Sequence, residues 1–73
     1  MRADLDLSVV LPVHNEAAAI DATHREVREA LDPLGLSYEI IFVDDGSDDG
    51  SFERLAAIRG ADPRVRVIRL RRN

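Results

Sequence analysis

Cysteine and lysine are both absent from the 73-residue sequence, and aromatic residues make up only 4% of it. The lack of cysteine excludes disulfides and thiolate metal sites. All ten basic residues are arginines, and fourteen acidic residues outnumber them to give a net charge of −4. Because a nucleic-acid binder that tracks phosphates is usually basic, this balance argues against nucleic acid as a partner.

Long apolar runs are missing as well. No stretch approaches the roughly 18 apolar residues that a membrane span needs, and the acidic N-terminus does not have the form of a secretory signal. We therefore expect a cytoplasmic protein. Any association with the cytoplasmic face of a membrane is expected to come through parts outside this chain.

Three short apolar runs predict three β-strands, over residues 7–11, 38–43 and 65–70. The second run contains four consecutive apolar residues, which is typical of a strand covered on both faces in a parallel sheet. The third run alternates with arginines, and this pattern favours an edge strand.

Two segments between these runs have helical spacing. The first is predicted to begin at residue 17, with Asn15 as its N-cap and Glu16 in its first turn, and to be closed by Pro33 and Gly35. The second is predicted over residues 48 to about 59, with Gly60 as its C-cap.

The resulting β-α-β-α-β order is one half of a doubly wound α/β sheet with parallel strands, incomplete and Rossmann-like. The sequence stops at the carboxyl end of the third predicted strand. A complete domain of this class continues into further helices and strands, and a chain this short buries only about 60% of its extended-chain surface. We therefore expect residues 1–73 to be the truncated N-terminal part of a larger domain.

The most unusual segment is VDDGSDDGS, residues 43–51, in which the tetrapeptide DDGS occurs twice. An EF-hand that starts at Asp45 would place Ala56 where a bidentate glutamate is required, and the loop lies between a strand and a helix, so this kind of calcium site is rejected. Turn formation and helix capping are sufficient to explain Asp48, Asp49 and Ser51.

The first aspartate pair, Asp44 and Asp45, is explained less well by turn chemistry. It follows the apolar second strand directly, and ligands of open α/β sheets bind outside the carboxyl ends of the strands. A carboxylate there accepts hydrogen bonds from ribose hydroxyls or from a base N–H. We therefore predict that this pair faces a ligand.

The first strand ends at the same edge in PVHNE, which contains no glycine. The absence of G-x-G-x-x-G and of a P-loop argues against a backbone cradle for phosphates, and so against a nicotinamide or flavin enzyme. The imidazole of His14 and the carboxylate of Glu16 suit a nucleoside better than its phosphates. The alternative for His14 is an ordinary polar surface residue.

Three segments together, LSVVLPVHNEAAAI, YEIIFVDDGSDDGS and DPRVRVIRLRRN, resemble the family 2 glycosyltransferases of the GT-A fold. The third segment is similar to the subgroup that moves a sugar onto a polyprenyl phosphate, such as the dolichyl-phosphate mannosyltransferases and their bacterial relatives. The resemblance extends over residues 7–73, which is nearly the whole chain.

The resemblance implies a nucleoside pocket for a UDP- or GDP-sugar, built from Pro12, His14, Glu16, Val43, Asp44 and Asp45. The family usually has tyrosine where this chain has His14. Arg71, Arg72 and Asn73 match the start of a segment that leads into the donor site, with a solvated basic strand end as the alternative.

The resemblance also implies an inverting transfer of the sugar to a lipid-phosphate acceptor. The catalytic residues and the D-x-D motif that holds Mg²⁺ or Mn²⁺ are expected beyond Asn73, so no metal ligand is assigned within this chain, and the isolated chain is expected to be inactive.

Two alternatives to the enzyme remain. One is a nucleotide-binding module without catalysis. The other is a receiver-like signalling domain, although that fold needs its acidic pair after the first strand and an aspartate at the end of the third.

Overall fold

Three strands and two helices alternate along the part of the chain that the computed structural model describes, residues 4–70. The strands are β1 (Leu7–Val13), β2 (Tyr38–Asp45) and β3 (Val65–Leu70), and the helices are α1 (Ala17–Leu31) and α2 (Ser51–Ala61). A short 3-10 turn, Asp32–Leu34, follows α1. The predicted β-α-β-α-β arrangement is confirmed. Within residues 4–70, neither helix has the length and apolar character to cross a membrane.

β2 lies in the middle of a parallel sheet whose strand order is β1-β2-β3. Its apolar run fits this place, because a central strand of a parallel sheet needs apolar side chains on both faces. β3 lies at an edge of the described sheet, as its interleaved arginines predicted. The side chains of Arg66 and Arg69 stay about half exposed there, at 58% and 49%.

Both helices pack on the same face of this sheet, which we call the helix face. Right-handed crossovers that advance in one direction from β1 to β3 place successive helices on the same side. The core between helices and sheet contains Val13, Ile20, Tyr38, Ile40, Phe42, Leu55, Ile58 and Val65. The opposite face, which we call the open face, carries Val10 and Ile68, and residues 4–70 leave these side chains 58% and 49% exposed.

The starts of the two helices differ from the prediction. α1 begins at Ala17, but Glu16 holds the N-cap position and Asn15 adopts a positive φ of 50° instead of capping the helix with its side chain. α2 begins at Ser51, three residues later than predicted, behind Gly50 with a φ of 91°. In both cases a polar side chain before the helix bonds across to the other connection. Asn15 Oδ1 accepts the N–H of Asp48, and Asp49 Oδ2 accepts the N–H of Ala17.

The ends of the helices agree with the prediction only for the first. The turn after α1 closes at Gly35, whose φ of 68° is a conformation that glycine adopts at little cost, so closure by Pro33 and Gly35 is confirmed. The prediction of Gly60 as a C-cap was wrong. α2 runs through Gly60 to Ala61, and the backbone N–H of Asp62 bonds to the carbonyl of Ile58 at 2.9 Å.

The buried carboxylate of Asp62, the residue that follows α2, joins the two helices. Its Oδ2 accepts a hydrogen bond from Arg28 Nη1 at 2.6 Å and another from His24 Nε2 at 2.8 Å. Its Oδ1 accepts the backbone N–H of Arg64 at 3.0 Å. Burial opposes ionisation of Asp62, but the hydrogen bonds from His24, the Arg64 backbone and Arg28 outweigh it and lower its pKa. Asp62 therefore anchors α1 to the C-terminal end of α2.

Candidate functional site

The predicted site residues gather at the carboxyl edge of the sheet, where β1 and β2 end. Pro12 pairs in register with Val43, so the two strands reach this edge at the same level. Just beyond, His14 Nδ1 lies 2.7 Å from the backbone oxygen of Asp45. Because a carbonyl oxygen only accepts, Nδ1 carries the hydrogen in this contact.

Strand alternation divides these residues between the two faces of the sheet. Ile40 and Phe42 point into the helix-face core, so Val43 and Asp45, at odd spacing from them, lie on the open face. Pro12, level with Val43, lies on the same face and is exposed. The open face at this edge therefore presents an apolar pair with a carboxylate beyond it.

Four hydrogen bonds, each donated by a backbone N–H to a side-chain oxygen, join the β1–α1 loop (residues 14–16) to the β2–α2 loop (residues 46–50). Two of them also involve the first residue of α1 or of α2. Three are donated from the β1 side. Asn15 N donates to Ser47 Oγ at 2.9 Å and Glu16 N to Ser51 Oγ at 3.0 Å. Ala17 N, at the start of α1, donates to Asp49 Oδ2 at 3.2 Å. The fourth runs back, from Asp48 N to Asn15 Oδ1 at 2.9 Å. We call these contacts the loop network. They fix the position of His14 relative to the end of β2 without any ligand.

The second DDGS copy supplies much of the loop network. Asp49 Oδ1 accepts both the N–H and the hydroxyl of Ser51, at 3.0 and 2.5 Å, while Oδ2 reaches the first residue of α1. The Ser51 hydroxyl has the largest effect and lowers the pKa of Asp49. Burial opposes it, and the Ala17 and Ser51 backbone N–H groups add to the lowering. Capping, as predicted, is part of this role, but Asp49 serves the N-termini of both helices.

Asp44 differs from the other predicted site residues because it is fully buried, with 0% exposure. Its Oδ1 accepts the backbone N–H of Ser47 at 3.2 Å. Its Oδ2 has no hydrogen-bond partner, and Arg69 Nε lies 3.8 Å away. The prediction that Asp44 contacts a nucleotide is untested, but its location indicates a different role.

The carboxyl edge is an open surface in residues 4–70. A cavity of about 70 Å³ between β1 and α1 has Pro12 and Glu16 in its wall, and its volume is well below the roughly 300 Å³ of a typical ligand pocket. A cavity of about 260 Å³ lies at the opposite end of the sheet, beside Glu39 and Arg66. The cavity with Pro12 and Glu16 in its wall is too small to enclose a drug-sized or nucleoside-sized ligand.

Comparison with known protein families identifies the family of this chain. The family model described as glycosyl transferase family 2 matches residues 8–73. The chain belongs to glycosyl transferase family 2. This confirms the resemblance drawn from the strand ends, and it leaves no support for the receiver-like alternative.

Curated relatives of this family 2 chain include proteins from several bacteria. An uncharacterized glycosyltransferase, YkcC, of Bacillus subtilis is 40% identical over 73 residues, which is 100% of this chain and 23% of the relative. Undecaprenyl-phosphate 4-deoxy-4-formamido-L-arabinose transferases are 47% identical over 58 residues in Aeromonas hydrophila and 40% over 68 in Salmonella paratyphi B. They cover 75% and 92% of this chain, and the chain covers 18% and 21% of them. The chain thus spans about a fifth of the length of these relatives.

Sequence reasoning missed two parts of this family 2 site. One is the loop network, whose bonds join residues more than thirty positions apart. The other is Arg69, which pairs in register with Asp44 and could have been found by aligning the third strand with the second. Arg71, Arg72 and Asn73, predicted to lead into the donor site, lie outside the described residues.

Removing the Ser51 hydroxyl tests the loop network. Ser51 is fully buried, and its Oγ accepts the N–H of Glu16. We expect Ser51→Ala to lower the free energy of unfolding by about 1–2 kcal/mol, because a backbone N–H loses its partner. The nucleotide affinity that the family resemblance implies is expected to fall about threefold, since the loop that carries His14 is less fixed. Denaturant unfolding and calorimetric titration of the full-length protein measure the two effects.

Ser8→Ala is the matched control for Ser51→Ala. Ser8 donates to Glu39 Oε2 at 2.6 Å at the far end of the sheet. The control is expected to reduce stability by a similar amount and to leave nucleotide affinity unchanged. Equal affinity losses in the two variants would contradict a specific role for the loop network.

Proposed function

We propose that the full-length protein is a glycosyltransferase that moves a sugar from a UDP- or GDP-sugar to a polyprenyl phosphate with inversion. Residues 1–73 form the nucleoside side of its donor site. Membership of glycosyl transferase family 2 supports the activity, and the relatives named undecaprenyl-phosphate transferases support the acceptor class. Because a polyprenyl phosphate is embedded in a membrane, we expect the full-length protein to act at the cytoplasmic face of a membrane.

The observation that carries this proposal is the convergence of two strand ends at one edge of the sheet. His14, after β1, is hydrogen-bonded to the backbone of Asp45, the last residue of β2. The loop network already holds the two loops together, so little ordering remains to oppose ligand binding. A nucleoside bound across this edge contacts polar groups that are already held in position before binding.

Each residue at the edge has a chemical role in this proposal. The Asp45 carboxylate accepts hydrogen bonds from a base N–H or a ribose hydroxyl, and Nε2 of His14 is a second polar atom at this edge. Pro12 and Val43 provide apolar contact on the open face. Glu16, whose Oε1 accepts the backbone N–H of His14 at 3.3 Å, braces the loop and contributes a further acceptor.

We expect the divalent cation of the reaction to be held outside the described residues. Among residues 4–70, no three histidine or acidic side chains come together in a group that could bind a metal ion. We expect Mg²⁺ or Mn²⁺ to be held by a D-x-D motif beyond Asn73, where the catalytic residues are also expected. The contribution of residues 4–70 is to bind and orient the nucleoside.

In the proposed reaction, a phosphate oxygen of the acceptor attacks the anomeric carbon of the sugar. The bond from that carbon to the nucleoside diphosphate breaks, and the products are a nucleoside diphosphate and a polyprenyl phosphate sugar. Attack from the face opposite the leaving group inverts the anomeric centre. Binding of the nucleoside at the carboxyl edge fixes the position of the leaving diphosphate.

Incubation of the full-length protein with undecaprenyl phosphate and either a UDP- or a GDP-sugar tests the proposal. We expect release of one nucleoside diphosphate together with a sugar-bearing lipid phosphate, detected by mass spectrometry. Undecaprenol, which lacks the phosphate, is the matched control and should give no product. A protein that binds nucleotide tightly but forms no product with any sugar donor would favour the non-catalytic alternative.

A further inference from the structure

Two buried carboxylates lie on β2, one near each end. Glu39 is 2% exposed and Asp44 is 0% exposed. In each, one oxygen is hydrogen-bonded, to the hydroxyl of Ser8 in the first case and to the backbone N–H of Ser47 in the second. The other oxygen of each is buried without a hydrogen-bond partner and lies 3.8 Å from an arginine nitrogen on β3. The two carboxylates have the same local chemistry in different places.

Their places on the sheet decide what each can affect. Glu39 and Asp44 are an odd number of positions apart, so they point to opposite faces of β2. Glu39 lies on the open face at the amino end. Asp44 lies on the helix face at the carboxyl end, beneath the loop network. A ligand over the open face meets Asp45 and not Asp44.

Arg69 connects Asp44 to the beginning of α2. The two residues pair in register across β2 and β3, so they lie level on the same face. The guanidinium carbon of Arg69 lies 4.3 Å from the centroid of the Phe52 ring, in the first turn of α2. A cation over an aromatic ring is held by the ring's negative face. Arg69 is therefore held between a buried carboxylate and the helix that follows the loop network.

We propose that Asp44 and Arg69 are positioning residues for the nucleoside site, an inference that rests on the proposed function. Asp44 fixes the backbone of Ser47, and the Ser47 hydroxyl accepts the N–H of Asn15, the neighbour of His14. The contact with Arg69 balances the buried charge and holds the end of β3 beside the loop. Asp44 shapes the site from below without contacting the nucleotide.

Asp44→Ala and Arg69→Met in the full-length protein test this role, with Glu39→Ala as the matched control. In the ligand-free protein, we expect both test variants to speed hydrogen–deuterium exchange in residues 14–17 and 46–51 about tenfold, an opening of ~1.4 kcal/mol. Nucleotide affinity for UDP or GDP is expected to fall by a similar factor. Glu39→Ala removes an equally buried carboxylate and should leave both measurements at these segments unchanged. Arg69→Met keeps the test valid if Asp44→Ala does not fold.

The possible results separate the roles. Unchanged exchange in the test variants would overturn the proposal, and so would equal changes in the Glu39→Ala control. Loss of affinity in Asp44→Ala with unchanged ligand-free exchange would assign a direct contact instead of positioning. If the wild-type protein bound neither UDP nor GDP, the proposed function would fail, while the exchange comparison would still decide whether Asp44 and Arg69 order the loops.

Discussion

Replacing Asp45 with alanine is expected to weaken the binding of UDP or GDP by the full-length protein about 10- to 100-fold. This corresponds to ~1.4–2.7 kcal/mol, which is the range for a hydrogen bond to a charged group. The expectation follows from the position of Asp45 at the end of β2, on the open face and joined through its backbone to His14. Calorimetric titration with each nucleotide, in the presence of Mg²⁺ or Mn²⁺, measures the change.

The doubled DDGS provides the matched control for this experiment. Asp48→Ala removes the same charge three residues further along, on an exposed side chain, and keeps the backbone N–H that bonds to Asn15. We expect affinity within about twofold of wild type, because only a screened surface charge is lost. Equal losses in the Asp45→Ala and Asp48→Ala variants would show a general electrostatic effect and would contradict the site assignment.

Replacing Asp62 with alanine is expected to lower the free energy of unfolding by about 3 kcal/mol at neutral pH. The reason is that Arg28 and His24 lose the buried carboxylate that both contact, and the backbone N–H of Arg64 loses its acceptor. Denaturant unfolding of the two proteins measures the difference. Asp21→Ala breaks the exposed pair with Arg54 at the same helix interface and should change stability little.

The stability difference caused by Asp62→Ala is also expected to depend on pH in a defined direction. The pKa of Asp62 is lowered in the folded protein, so its stabilising contribution is present above the unfolded value of about 3.9. That contribution is lost as the pH falls through the folded-state pKa. The difference between wild type and variant should therefore shrink as the pH falls below about 4. A difference that kept its full size under acid conditions would count against the charge as its source.

The fold was largely predictable because it depends on local patterns. Apolar runs with β-branched residues marked all three strands, and the uninterrupted run in β2 identified the central one. The helical spacing between them left a β-α-β-α-β order with few alternatives. The family resemblance rested on the same strand ends, where the chain has to turn at one edge of the sheet.

The details of the site were less predictable because they depend on contacts between distant residues. Asn15 has the composition of an N-cap, yet its amide oxygen bonds to Asp48 in the other loop. Asp49 was assigned to one helix and serves two. A side chain that can cap its own helix or bond across to another loop has similar local energies in both states. Tertiary packing determines which of the two hydrogen bonds forms, and the local sequence does not predict it.

The opposite directions of the two aspartates at the end of β2 make this site sensitive to deletions within the strand. Asp44 and Asp45 have identical side chains, and only the two-residue repeat of the strand turns one inward and the other outward. Deletion of a single residue within β2 would exchange their directions while leaving the motif DDGS intact. A variant of that kind would still match the sequence pattern, but the carboxylate that now points to the open face would be buried and the buried one exposed. Recognition of this site by motif alone is therefore reliable only where the spacing back to Tyr38 is preserved.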